Sequence, residues 1–158
     1  SLATRLAQAS RLKVTIARDG LQPEAGTVYL APGDHHMVLS PGTLILRLTD
    51  DPPENFVRPA ADPLFRSAAA ALGRCCIGIL LSGMGRDGTI GAGDIARAGG
   101  FVLAQDPETA IAPSMPKTAI EAGIVSAVCE AGEIGERAAR EIESRVPDLA
   151  RSDAPRRL

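Results

Sequence analysis

A short, unbroken apolar run that breaks into closely spaced glycines and then takes up helical periodicity constrains this chain more than any other feature. The segment is IGILLSGMGRDGTIGAGDIARAGG, residues 77–100. The run at 77–81 has no polar face, so a strand built from it has to be covered on both sides. Parallel sheets meet that condition, with helices packed on each face. The rest of the C-terminal half keeps the same rhythm. A helix is predicted at 87–98, a strand at 102–104, a short helix at 116–121, a strand at 125–128 and a charged amphipathic helix at 133–145.

The N-terminal half reads differently. An amphipathic helix over 2–12 has only Ser1 available as a cap, which suggests that the natural chain extends further upstream. Strands are predicted at 14–17 and 28–31. Pro32-Gly33-Asp34 and Ser40-Pro41-Gly42 are turn signals around an extended stretch at 36–39, and 44–48 alternates, so the pattern is that of an antiparallel hairpin. Residues 50–63 are rich in Pro and Asp and read as irregular. Asp62 and Pro63 supply an N-cap and a first-turn proline for a helix reaching about residue 72. The expected fold is α/β: a doubly wound, mostly parallel sheet flanked by helices, with an antiparallel β-hairpin, in one domain over 1–150 and a flexible tail over 151–158.

Composition narrows the function classes. Seventeen basic residues against nineteen acidic ones give a net charge of −2, and aromatic residues are scarce, so no nucleic-acid partner is expected. No apolar run approaches the roughly 18 to 20 residues that span a bilayer, so no membrane insertion is expected. Cys75, Cys76 and Cys129 form neither a C-x-x-C pair nor an even disulfide set, and the sequence opens without a charged leader and apolar core. These features predict a cytoplasmic protein, with the adjacent cysteines as small core filler at the start of a strand.

Read literally, Gly83-Met84-Gly85-Arg86-Asp87-Gly88 is G-x-G-x-x-G, and Asp106 lies just beyond the next strand, so a dinucleotide-binding fingerprint is formally present. Asp87 argues against it, because its carboxylate would stand where the pyrophosphate has to sit. The same geometry suits an anionic acceptor at the carboxyl end of a parallel strand. There a carboxylate, stabilised by helix N–H groups, can orient a histidine. The residues alone leave this reading open beside that of a simple N-cap.

Four blocks in order resemble the CheB-type protein-glutamate methylesterases of bacterial chemotaxis. GTVYLAPGDHHMVL at 26–39 is similar to the family's G-x-x-Y-x-A-P-G-x-x-H block, and RPAADPLFRSAA at 58–69 to its R-P-x-x-D-x-L-F-x-S pattern. ILLSGMGRDGTIG at 79–91 resembles its glycine turn, and AQDPETAIAPSMPKTAI at 104–120 its A-Q-[DN] segment. The resemblance implies a carboxylic ester hydrolase in which Ser, His and Asp hydrolyse glutamyl methyl esters on methyl-accepting chemoreceptors and deamidate related glutamines, with no metal or organic cofactor. It makes Asp87 the triad acid and the backbone N–H of Met84 an oxyanion donor.

The family's serine and histidine belong to segments upstream of Ser1, so the chain by itself is expected to be inactive. The family often carries a receiver domain as well. Ser82 does not fit the G-x-S-x-G elbow. His35 and His36 point to opposite faces of a strand, and His36 is expected to form structural hydrogen bonds. Val57 stands where relatives commonly have His, while Arg58 is expected to form an ion pair or line the cleft. The competing readings are a non-catalytic relative that binds receptor or regulator, and a dinucleotide-binding module using Gly83 to Gly88.

Overall fold

A computed structural model describes residues 1–152, with side chains through residue 146; most of the expected tail at 151–158 lies outside the described residues. Helix α1 (Leu2–Ala9) is capped by Ser1, whose Oγ accepts the N–H of Thr4 at 3.3 Å. It stops short of residue 12 because the Ser10 hydroxyl takes the N–H of Leu12 at 3.0 Å and turns the chain into an extended conformation. Strand β1 (Lys13–Ile16) then pairs in parallel with β2 (Thr27–Leu30), Lys13 lying opposite Thr27. Strands β3 (His36–Leu39) and β4 (Leu46–Thr49) form the antiparallel hairpin, with Leu39 opposite Leu46.

Helix α2 (Ala61–Leu72) runs through a 3-10 turn, Gly73–Cys75, into β5 (Ile77–Leu80). Helix α3 (Thr89–Arg97) begins two residues later than the sequence predicts. Its N-cap is Gly88 at φ +90°, where a Cβ would lie 2.5 Å from Leu80 Cδ2, so glycine is required both by conformation and by space. Strand β6 (Phe101–Gln105), helix α4 (Ser114–Glu121), strand β7 (Ala127–Cys129) and helix α5 (Ala131–Ser152) complete the chain. Strands β5, β6 and β7 are parallel, in that spatial order.

Both faces of this three-stranded group are covered. On one, Leu80 and Val102 pack with Ala68 and Ala69 of α2, Ala92 and Ile95 of α3, and Ala119 of α4. On the other, Leu103 packs with Ile134 and Ala138 of α5, flanked by Ile77, Ile79 and Phe101. Val102, Leu103 and Ala104 are wholly buried, as the central strand of a doubly wound sheet has to be. A second cluster around Ala17, Met37 and Leu46 joins the hairpin to β2, and Leu39 packs against both clusters. The fold class is therefore α/β with helices on both sides of parallel strands and an antiparallel pair. The parallel strands form two groups, β1–β2 and β5–β7.

The packing of α2 on α3 positions the site. It depends on Gly91, where a Cβ would stand 2.6 Å from Phe65 Cβ and 2.9 Å from the carbonyl oxygen of Asp62. Without a side chain at 91, the first turns of the two helices come close enough to exchange hydrogen bonds. No helix among the described residues is long and apolar enough to cross a membrane.

Candidate active site

Asp87 closes the turn that follows β5, and its carboxylate serves a helix other than its own. Oδ2 accepts the N–H of Ala61 at 2.6 Å, while Oδ1 accepts the N–H of Asp62 at 3.2 Å. These are the first two amides of α2, whose N-cap position, Ala60, has no side-chain oxygen to offer. Asp62, expected to cap α2, instead reaches the N–H of Gly91 in α3 at 2.7 Å through Oδ1. Each aspartate thus satisfies the free amides of the other's helix. Asp62 is buried, at 1% exposure, and Asp87 is half-buried.

Asn55 connects the pair. Its Nδ2 donates to Asp62 Oδ2 at 2.8 Å and to Asp87 Oδ1 at 3.3 Å, while Arg86 Nε donates to Asn55 Oδ1 at 3.4 Å. Asn55 lies in the stretch that reads as irregular in the sequence. The only signal there for its role was that Asn tolerates left-handed backbone, which it adopts at φ 51°.

The glycine turn itself is fixed by the segment leading into α4. Gly83 N–H donates to the Ala112 carbonyl at 2.9 Å and Gly85 N–H to Ser114 Oγ at 3.0 Å. The N–H of Met84, between them, has no acceptor among the described residues. The Met84 side chain is 86% exposed, so core packing does not account for it. The Met84 donor therefore lies on the same turn as the Asp87 carboxylate, at the end of a parallel strand, where open α/β sheets place their sites.

The same contacts take up amides that a dinucleotide phosphate would use. The N–H groups of Gly83 and Gly85 are occupied, and the first turn of α3 is closed by the Asp62 carboxylate at Gly91.

The remaining candidates have structural roles. Ser82 Oγ accepts the N–H of Ala112 at 2.9 Å and lies 3.3 Å from its carbonyl, and Ser82 N–H donates to the buried Gln105 side chain at 2.8 Å. His36 is 1% exposed; Nδ1 accepts the N–H of Ala60 at 3.2 Å and Nε2 lies 3.0 Å from the Pro52 carbonyl. One ring nitrogen accepting and the other donating is the pattern of a neutral imidazole. His35 turns away to Asp50, 2.6 Å from its Oδ1. Arg58 donates to the carbonyls of Asp50 and Asp51, both at 3.1 Å, and so holds a loop. Val57 is half exposed beside Phe56, which stands entirely in solvent.

Comparison with known proteins gives a consistent result. A family model described as CheB methylesterase matches residues 1–138. A protein-glutamate methylesterase/protein-glutamine glutaminase of Pyrococcus abyssi is 42% identical over 145 residues, covering 90% of this chain and 39% of that protein. A second, from Anaeromyxobacter dehalogenans, is 48% identical over 141 residues, covering 89% and 40%. Among solved structures, the Thermotoga maritima CheB methylesterase catalytic domain matches with a TM-score of 0.84 at 39% identity, over 90% of this chain and 75% of that one. The chain thus spans about two fifths of the length of these curated relatives.

Proposed function

This chain belongs to the CheB methylesterase family, and from that premise we propose that it forms the acid-bearing part of a protein-glutamate methylesterase and glutamine deamidase acting on chemoreceptors in the cytoplasm. A serine and a histidine from an upstream segment complete the site. A receiver domain of the same full-length protein is its expected regulator.

The observation that carries this reading is the pairing of a half-buried Asp87 carboxylate, fixed by Ala61 and Asp62 N–H groups, with the unoccupied N–H of Met84 on the same turn. In the proposed reaction the serine hydroxyl attacks the ester carbonyl while the imidazole takes its proton. Asp87 holds the imidazole in the required tautomer and stabilises it once charged. The Met84 N–H donates to the oxyanion of the tetrahedral intermediate. Collapse of the intermediate expels methanol, protonated by the imidazole, and water then releases the glutamate by the reverse roles. Deamidation follows the same course with ammonia as the leaving group.

Methanol release from methylated receptor by the full-length protein tests the proposal. Asp87→Ala is expected to lower kcat by roughly 10³ to 10⁴-fold in protein shown to be folded by circular dichroism. Undiminished turnover by the folded variant contradicts the assignment of Asp87. No turnover by the parent protein contradicts the activity itself.

A further inference from the structure

Of the three donors to the Asp87 carboxylate among the described residues, two are main-chain amides of α2 and the third is the Asn55 side chain. We propose that Asn55 is a positioning residue for the triad acid, an inference that rests on the functional reading above. A carboxylate offers about four acceptor positions, two on each oxygen. Among the described residues, Oδ1 is occupied by Asp62 N–H and Asn55 Nδ2, whereas Oδ2 receives only Ala61 N–H. The open position is therefore on Oδ2, and the imidazole N–H is to be received there. Removing Asn55 opens a second position on Oδ1 and lets the carboxylate accept from two directions.

The amide has one chemically sensible orientation. Its NH2 faces two carboxylates that can only accept, and its carbonyl faces the Arg86 guanidinium that can only donate. A flipped amide sets oxygen against oxygen and N–H against N–H. The charges of Asp62, Asp87 and Arg86 together hold the side chain in register.

The backbone supports the same conclusion. Glu54 N–H bonds the Val57 carbonyl at 3.2 Å and Val57 N–H bonds the Glu54 carbonyl at 3.0 Å, closing a two-residue turn. Both central residues are left-handed, Asn55 at φ 51° and Phe56 at φ 66°. Such a turn suits Asn at its first position and penalises Phe at its second, and the fully exposed Phe56 ring has no packing to offset the strain. A turn held against the preference of one of its two residues is the kind of local strain that gathers at functional sites. Here it delivers the Asn55 amide to the gap between the two aspartates.

The test is the pH profile of kcat/KM for methyl-ester hydrolysis by the full-length protein. Asn55→Gly keeps the left-handed backbone and deletes the amide. Asn55→Asp keeps the shape and replaces the donor with a charged acceptor. A carboxylate with one donor fewer holds imidazolium more tightly, which raises the histidine pKa, and turnover needs the neutral ring. The acid limb is therefore expected to move to higher pH in Asn55→Gly and further in Asn55→Asp. We expect kcat to fall about tenfold in Asn55→Gly, with KM changed less than about twofold.

Folded fraction is measured alongside by circular dichroism. An unmoved acid limb in folded variants, with activity unchanged or reduced only in proportion to the folded fraction, overturns the role of Asn55 and leaves the functional reading standing. An inactive parent protein, or a fully active folded Asp87→Ala, overturns the functional reading and this inference with it.

Discussion

Two aspartates beside two helix starts have a simple sequence reading in which each caps the helix it precedes. The structure exchanges them: Asp87 binds the amides of Ala61 and Asp62, and Asp62 binds that of Gly91. Residue types and their proximity to helix N-termini were legible in the sequence. The partner of each carboxylate was not, because it depends on how closely α2 approaches α3, which Gly91 permits. The free Met84 amide was legible from the glycines around it only together with the family resemblance. Which neighbouring amides were occupied could not be read, since Ala112 and Ser114 arrive from about thirty residues away. Cys76 shows a different effect of placement, as burial pushes its thiol from the ordinary 9.0 up to about 11. The folded state therefore keeps a proton that the unfolded state loses between those values. This contribution to stability is complete below pH about 9 and declines as pH rises toward 11, by at most about 1.4 kcal/mol per pH unit. Urea unfolding of the parent chain and of Cys76→Ala across that range is expected to show the difference.

At the scale of elements, the alternation of strand and helix and the hairpin were readable, and boundaries moved for local reasons. Helix α1 ends early at the Ser10 hydroxyl, and α3 starts late at the left-handed Gly88. Helix α5 is longer than its apolar pattern predicts, running from Ala131 to Ser152. Within the part whose side chains are described, Arg137 and Arg145 both stand over the Phe101 ring, at 5.2 and 5.4 Å, and Arg145 donates to the Gly99 carbonyl at 3.1 Å. The exchange of caps between α2 and α3 joins these helices more specifically than their apolar faces do. Asp62→Ala removes a cap from α3 and leaves the Gly91 amide buried without an acceptor. It is expected to cost about 2 to 3 kcal/mol, read as a lower urea midpoint at unchanged slope. A loss below about 0.5 kcal/mol would mean that the exchanged caps contribute little to the joint.

At the scale of the whole molecule, fold class followed from the apolar pattern, whereas the grouping of strands did not. Strand β5 pairs only with β6, and β2 only with β1, so both groups have an edge available among the described residues. Apolar patterning specifies that a strand is covered but carries no record of its neighbour across an edge. In the complete protein the open position on Asp87 Oδ2 has to face an imidazole. The most direct measurement is a crystal structure of the full-length protein. A histidine ring nitrogen is expected about 2.6 to 3.2 Å from Asp87 Oδ2 while Ala61, Asp62 and Asn55 keep their contacts. A carboxylate whose fourth position is filled by a main-chain amide, with no imidazole in hydrogen-bond reach, would contradict it.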